Sequence, residues 1–312
     1  MTLRIIDLPE IHSVATKALV FDAVRDALVA HDEGRTQSPP PIHLAFPDVN
    51  GDCHVKAGQL LGASNFSVKV ATGFYRNAKR GLPNNSGLIL VLDAGTGVPA
   101  AVLADQGWLT AWRTAAAGAL ITHALTPKEI DEVGVLGTGL QARLQVEWLN
   151  ALRPLSRICV WGRNPESARR LCAELADTDL DARYGAVAVA ASAPCVITAT
   201  PSTSPLAPRT AFAGVAHITG IGTDLPGKAE LPPGLFAGAT LIATDDHAQC
   251  LDHGDFGNAV RAGIVDADAD IAVGRILRDG APGDRQGLTI ADLTGLGVAD
   301  AAVASAVFMA TT

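Results

Sequence analysis

The sequence predicts an α/β chain in which a doubly wound parallel sheet is inserted in a second, α+β domain with a mainly antiparallel sheet. Three observations carry this reading. The β-branched run Val133-Gly134-Val135-Leu136 passes through Gly137-Thr138-Gly139-Leu140-Gln141-Ala142 into a helical pattern. From Glu132 onward, strand-like and helix-like segments alternate, which implies right-handed crossovers and a parallel sheet. Before that point, short apolar segments separated by turn residues read as antiparallel strands.

Each element has its own signal. Residues 18–31 carry apolar side chains at helical spacing (Leu19, Val20, Ala23, Val24, Leu28, Val29), with Gly34 as the stop. Beyond Pro39-Pro40-Pro41, residues 42–46, 54–58, 66–70 and 87–92 read as strands. Asp93-Ala94-Gly95-Thr96-Gly97 turns into residues 99–104 to close a hairpin. Residues 110–125 form a long Ala-rich helix, with Arg113 near its start, that bridges the two domains. Strands at 133–136, 157–161, 195–199, 217–221 and 240–243 and helices at 140–152 and 165–175 follow, with 207–213 and 234–238 as connectors. After an element at 271–277, residues 289–297 open a last Ala/Val-rich helix.

Composition narrows the partners. The 312 residues are 48% apolar, ample for a buried core, and only 4% aromatic, so packing relies on small side chains. A formal charge of −8 without a Lys/Arg cluster argues against nucleic acid. The five cysteines are scattered and include no C-x-x-C, which reads as reduced thiols in a cytoplasmic protein. Residues 1–7 carry acid early and lack the apolar stretch of a signal peptide. The most apolar later stretch, 186–199, is too short to span a membrane and is broken by Pro194.

Chemistry enters at the glycine turn. Gly137 permits the tight turn, Gly139 lets the backbone approach a pyrophosphate, and Ala142 lets helix and strand pack closely. The helix start offers N–H groups and partial positive charge to phosphates. Leu140 and Gln141 complete this dinucleotide-binding turn. Where an NAD site places an acid after the second strand, this chain has Val160-Trp161-Gly162-Arg163-Asn164. Without a carboxylate at Gly162 to repel a 2′-phosphate, the reading leans to NADP over NAD; Arg163 is either its ligand or an ordinary surface arginine. Thr200, at another strand end, is a ribose- or adenosine-side contact.

Lys69 lies in an apolar strand, between Val68 and Val70, where a lysine is costly unless paired. Its bland alternative is an edge lysine whose amine reaches water. Arg113 is either a surface charge or, because a cation is unfavourable near a helix start, the mark of an anionic partner. Asp224 follows a strand end, where ligands of doubly wound sheets bind, and is either a general acid/base or a turn cap before Pro226. Lys228 contacts the nicotinamide ribose or is simply surface.

These residues fall in Val68-Lys69-Val70-Ala71-Thr72-Gly73-Phe74, Leu109-Thr110-Ala111-Trp112-Arg113-Thr114-Ala115-Ala116, Gly222-Thr223-Asp224-Leu225-Pro226-Gly227-Lys228-Ala229-Glu230-Leu231 and Asp292-Leu293-Thr294-Gly295. With the glycine turn, the set resembles the ornithine cyclodeaminase/mu-crystallin family over almost the whole chain. His54-Val55-Lys56-Ala57-Gly58 and Gly81-Leu82-Pro83 further resemble its cyclodeaminase-like members linked to ectoine utilisation and iminosuccinate reduction.

The resemblance implies a substrate-binding and dimerisation domain at 1–115, completed by 296–312, and a Rossmann NAD(P)-binding domain at 116–295. It implies a homodimer whose first-domain sheets join into a barrel. It makes Lys69 a substrate-carboxylate ligand or proton-transfer residue, Arg113 a ligand of the substrate carboxylate or cofactor phosphates, and Asp224 the catalytic acid/base. Asn85, Ile221, Gly222, Thr223, Lys228, Thr294 and Gly295 join the cofactor contacts.

Two departures matter. The family pattern places an arginine near 41–46, where this chain has Pro41-Ile42-His43-Leu44-Ala45-Phe46, and a glutamate where this chain has Lys56. A lysine repels the side-chain ammonium of ornithine. His54 and Lys56 become candidate ligands of a substrate carboxylate, unless both lie on a solvated strand face. The expected activity is therefore hydride transfer at the C–N bond of an α-imino or α-amino acid smaller than ornithine, with a dicarboxylic one as one option. An ornithine cyclodeaminase-type lyase and a mu-crystallin-like binding protein are the alternatives. No metal site is expected.

Overall fold

The computed structural model describes residues 3–283 and 287–311. The chain divides into two compact units, Met1–Ala116 with Leu296–Thr312 and Ala117–Gly295. No helix among the described residues is long and apolar enough to cross a membrane.

Unit 1 begins with β1 (Arg4–Asp7), α1 (Leu8–Val14) and α2 (Lys17–Asp32). Thr16 starts α2 by accepting the Leu19 N–H (3.1 Å), and Gly34, at φ +67°, takes the left-handed turn that ends it. Strands β2 (Thr36–Gln37), β3 (Ile42–Phe46), β4 (Gly51–Leu60), β5 (Asn65–Phe74), β6 (Asn85–Asp93) and β7 (Pro99–Ala104) follow. The sheet order is β1-β7-β6-β5-β4-β2, with β3 also on β4; β1 pairs parallel with β7 and the other pairs are antiparallel. The hairpin between β6 and β7 is held by Asp93, whose carboxylate accepts from the N–H groups of Gly95 and Thr96 and from the Thr96 hydroxyl.

Helix α3 (Trp108–Leu125) leaves unit 1, and the terminal helix (Gly297–Ala310) completes it. The terminal helix packs on α2 on one side and on β4 and β5 on the other, which is why its apolar residues are not confined to one face. Its entry is unusually close. A Cβ on Gly58 would lie 2.4 Å from the Gly297 carbonyl oxygen, and one on Gly297 would lie 2.2 Å from that of Ala57. Only glycines let the helix backbone rest on the strand backbone there.

Unit 2 contains β8 (Glu132–Leu136), α4 (Leu140–Leu152), β9 (Arg157–Trp161), α5 (Pro165–Ala176), β10 (Ala182–Tyr184), α6 (Val187–Ala191), β11 (Cys195–Thr198) and β12 (His217–Gly220). It continues with β13 (Ala239–Thr244), α7 (His247–His253), α8 (Asp255–Arg261), β14 (Asp270–Ala272), α9 (Val273–Asp279) and β15 (Leu288–Asp292). All pairs are parallel in the order β10-β9-β8-β11-β12-β15-β13-β14. The outward path from β8 to β9 and β10 reverses at β11, the doubly wound pattern. Leu136, Val196, Ile218, Ile242 and Ile290 belong to one core with Phe212, Phe236 and Phe256.

Two expectations require correction. Residues 289–292 belong to β15, between β12 and β13, and the last helix begins only at Gly297. A strand buried on both faces shows no polar alternation, so the run blends with the Ala/Val-rich helix that follows. The element at 271–277 is two, the end of β14 and most of α9.

A polar chain crosses unit 2 beneath α3. His217 is fully buried, with Nδ1 2.8 Å from Thr289 Oγ1 and Nε2 2.7 Å from Thr219 Oγ1, which lies 2.7 Å from Thr122 Oγ1 on α3. The Thr289 hydroxyl also donates to the Ala216 carbonyl (3.2 Å), which assigns the ring proton to Nδ1. Burial pushes the imidazole down to about 3, from an ordinary value of 6.5. The unfolded chain therefore takes up a proton that the folded chain refuses, and stability from this group is lost as pH falls from 6.5 toward 3. In denaturant unfolding, His217→Gln is expected to be less stable at pH 7. Its deficit against the parent should shrink by about 1.4 kcal/mol per pH unit below the imidazole range. A deficit that does not change with pH would contradict a neutral His217.

Candidate active site

Strand alternation puts Asp52, His54 and Lys56 of β4 on one face, and Lys56 lies directly opposite Lys69 of β5. Both lysines are buried, so the solvated-face reading of Lys56 and the edge reading of Lys69 are overturned. Lys69 Nζ lies 2.8 Å from Asp300 Oδ2, and Arg113 Nε donates to Asp300 Oδ1 at 2.7 Å. Asp300 enters from the first turn of the terminal helix, where the partial positive charge of the helix end favours a carboxylate.

Arg113 is not at the head of its helix. Helix α3 starts at Trp108, and buried Asp105 accepts the Leu109 N–H (2.9 Å) in its first turn. The anion that Arg113 needs is Asp300 of the same chain.

Electrostatics follow from burial. Desolvation pulls the Lys69 ammonium down to about 7; Asp300 opposes this, and Arg113 and Lys56 add to it. Burial alone would raise Asp300, but Arg113, Lys69 and Lys56 hold it below the usual carboxylate range. Asp105 is raised by burial.

His54 is 18% exposed with Nε2 3.6 Å from Asp52 Oδ1, and its ring centroid is 4.9 Å from that of His43. Tyr75 donates to Asp52 Oδ2 (3.3 Å). Asn85 is exposed at the start of β6, opposite Gly73, in unit 1.

In unit 2 the glycine turn lines a cavity of about 330 Å³ with Trp161, Gly162, Arg163, Asn164, Ala199, Thr200 and neighbouring residues. Gly137 has φ +144°, and a Cβ there would lie 2.5 Å from the Ala199 carbonyl oxygen. Around Gly139 there is open space, and no side chain caps α4, so its first N–H groups remain for a ligand. Leu140 and Gln141 form the first turn of α4. A Cβ on Gly162 would lie 2.3 Å from Thr138 Cγ2, so an acid there would force Thr138 aside. Arg163 is exposed on the cavity wall. The Asn164 side chain caps α5, accepting from the N–H groups of Glu166 (2.9 Å) and Ser167 (3.4 Å).

The strand ends are held by carboxylates that sequence reasoning did not single out. Glu230, fully buried, accepts from the Thr198 hydroxyl (2.7 Å), the Thr200 N–H (2.6 Å) and the Gly222 N–H (2.8 Å). It staples the segments after β11 and β12, where a Cβ on Gly222 would lie 2.2 Å from the Thr200 carbonyl oxygen. Asp292 accepts from the Thr223 hydroxyl (3.1 Å) and the Phe256 N–H (2.8 Å), and Asp255 accepts from the Glu230 and Leu231 N–H groups (both 3.1 Å). Asp245 fixes Thr294 and Gly295 through their N–H groups at 3.0 and 2.6 Å. Burial pushes Glu230 and Asp255 up, and Asp292 up to about 7. For Asp245 and Asp292 the signal in the sequence is an acid at an apolar strand end; Glu230 and Asp255 lie away from any strand and carry no such signal.

Ile221, buried, continues β12 into this region. Asp224 lies on the segment after β12 with its side chain 45% exposed, paired with Lys228 four residues on.

The sequence matches the profile of the ornithine cyclodeaminase/mu-crystallin family across residues 6–311. The iminosuccinate reductase of Paracoccus denitrificans is 30% identical over 302 residues, covering 96% of this chain and 93% of that one. Its structure in complex with NAD+ matches with a TM-score of 0.89 at 28% identity, over 99% of this chain and 96% of that one. An archaeal alanine dehydrogenase dimer with bound NAD gives a TM-score of 0.91 at 27% identity over 99% and 96%. The L-lysine cyclodeaminase of Streptomyces rapamycinicus is 30% identical over 264 residues, 80% of this chain and 75% of that one. A profile match from near one end of the chain to near the other, over a fold shared with solved dehydrogenases, makes this protein a member of the ornithine cyclodeaminase/mu-crystallin family.

Proposed function

We propose that the protein is an NAD(P)-dependent oxidoreductase that transfers hydride at the C–N bond of an α-imino or α-amino acid. The observation that carries this is the buried set Lys69, Arg113 and Lys56, a surplus of positive charge suited to a substrate carboxylate. The NAD complexes of the iminosuccinate reductase and the alanine dehydrogenase support a nicotinamide dinucleotide in the unit 2 cavity. Gly137 with its positive φ, the open space at Gly139 and the uncapped α4 fit its pyrophosphate. Thr200, Arg163, Thr294 and Gly295 add contacts along its length. When bound, that cofactor supplies or accepts the hydride.

The chain's own residues then have distinct tasks. Arg113 and protonated Lys69 bind the α-carboxylate and orient the imine carbon. Asp224, beside Lys228, relays the proton to or from the nitrogen. Lys56 and His54 take a second carboxylate, which favours a small dicarboxylic substrate. Because Lys56 is buried opposite Lys69, the same place is hostile to an ω-ammonium group. That disfavours ornithine cyclodeamination, although the lysine cyclodeaminase is a relative. A cofactor-retaining binding protein would not need a buried lysine held near neutrality. The five cysteines are all free, in keeping with a cytoplasmic setting.

The functional assembly is a homodimer formed through the unit 1 sheet. Ile42, Leu44 and Phe46 of β3 are 61%, 50% and 40% exposed, an apolar edge of the kind that pairs with another copy. Light scattering should give twice the chain mass; a monomer at micromolar concentration would count against this.

Gly162 leaves no carboxylate to repel a 2′-phosphate, and Arg163 offers it a cation, so NADP is preferred with NAD accepted. The test is nicotinamide oxidation at 340 nm with pyruvate, glyoxylate or oxaloacetate plus ammonium or methylamine, and with pyrroline-2-carboxylate. Net NADPH consumption is expected, with kcat/KM falling as pH rises through about 7, where Lys69 loses its proton. Arg163→Ala should raise the KM for NADPH about tenfold and leave that for NADH nearly unchanged. Conversion of ornithine to proline and ammonia without net redox would replace this reading with the lyase; no turnover of any imine would leave the binding protein.

A further inference from the structure

We propose that Asp300 is the positioning residue of the unit 1 site. It takes one donor from each of Lys69 and Arg113, fixes both cations, and leaves their remaining donors to a substrate carboxylate. The inference deepens the oxidoreductase reading and rests on it for the identity of the ligand.

Geometry carries the argument. Asp300 is buried, and its two oxygens are divided between two cations, Oδ1 on Arg113 Nε and Oδ2 on Lys69 Nζ. Binding through Nε leaves the Nη edge of the guanidinium, the edge suited to a bidentate carboxylate. Lys69 likewise keeps donors beyond the one given to Asp300. Asp300 reaches this depth because the terminal helix rests backbone to backbone on β4 through Gly58 and Gly297. An aspartate at the first turn of a seated helix is a rigid anchor; a longer acid on a loop would not fix the pair.

The charge balance separates Asp300 from a substrate ligand. The groups facing Lys69 are Asp300 from the terminal helix, Arg113 from α3, Lys56 from β4 and Asp105 from the segment before α3. With Lys69 protonated, three cations face two ionised carboxylates, and the one positive charge in excess is what a single substrate carboxylate neutralises. Asp300, already engaged by both cations, cannot itself bind that carboxylate and acts through Lys69 and Arg113.

The test reads Lys69 directly. In protein labelled with 13Cε-lysine, the Lys69 signal, assigned with Lys69→Arg, should titrate near pH 7. In Asp300→Asn it should titrate at least about one pH unit lower, a tenfold weaker hold on the proton. The upper limb of kcat/KM against pH should move down with it. Asp300→Glu should restore the Lys69 midpoint but raise the KM for the imino acid about tenfold with kcat less affected. If Asp300→Asn does not fold by circular dichroism, the Asp300→Glu variant decides. An unchanged KM there, or an unchanged Lys69 midpoint in folded Asp300→Asn, would overturn the proposal. The titration needs no substrate. A midpoint that moves in a protein that reduces no imine would therefore retain Asp300's hold on Lys69 and refute the oxidoreductase reading instead.

Discussion

Lys69 cannot stay charged on the packed face of a β-sheet without an anion, because stripping water from an ammonium costs several kcal/mol even after the protein relaxes. Much of unit 1 follows from that constraint. Asp300 supplies the anion, and to bring it there the terminal helix must approach β4 closely enough that only Gly58 and Gly297 fit. The same helix is covered on its other side by α2, so its Ala/Val-rich sequence needs no polar face. Arg113 joins the pair from α3, while Asp105 holds the start of that helix. The compensation is incomplete by design of charge: Lys69 sits near neutrality, poised to hold a proton when another anion arrives.

Unit 2 meets the reverse problem, buried carboxylates, with backbone N–H groups instead of ions. Glu230, Asp255, Asp292 and Asp245 each accept from N–H groups at or beyond the carboxyl ends of β11, β12, β13 and β15, where doubly wound sheets bind ligands. For Glu230, Asp255 and Asp292 the cost shows in raised proton affinities, and it sets a pH slope opposite to that of His217. A carboxylate such as Asp292, at about 7 against an ordinary 3.8, binds its proton more tightly folded than unfolded. Its contribution to stability therefore fades as pH rises through that window, whereas His217 loses its own as pH falls. The segments carrying Thr200, Gly222, Thr223, Thr294 and Gly295 are thereby fixed before any ligand binds.

What the sequence made legible were features that are local. The glycine turn announces itself within ten residues, and α4 runs over the span its apolar periodicity indicates. Lys69 stood out because a lone lysine in an apolar strand is costly. Asp300 shows the limit. It is a lone acid in Gly297-Val298-Ala299-Asp300-Ala301-Ala302-Val303, the same kind of signal, but its partner Arg113 lies 187 residues away and no periodicity connects them. For Lys56 the solvated-face alternative stayed open beside the ligand reading, because alternation alone does not say which face a helix will cover. Strand β15 was hidden for a related reason, since burial on both faces erases the alternation that marks a strand. Arg113 looked misplaced only because the helix begins earlier than its apolar pattern, under the hold of Asp105.

The two units supply complementary chemistry: cations that suit the carboxylate of an amino or imino acid, and a glycine turn that suits a dinucleotide. The proposed activity requires hydride to pass between the nicotinamide and the α-carbon. The direct measurement is reduction of pyrroline-2-carboxylate or an iminosuccinate generated in situ by NADPH deuterated at C4, in each of the two stereochemical forms, with NMR of the product amino acid. Deuterium is expected at the α-carbon from one C4 form and not from the other. Product carrying solvent hydrogen at that carbon from both forms, or no reduced product with any imine, would contradict it.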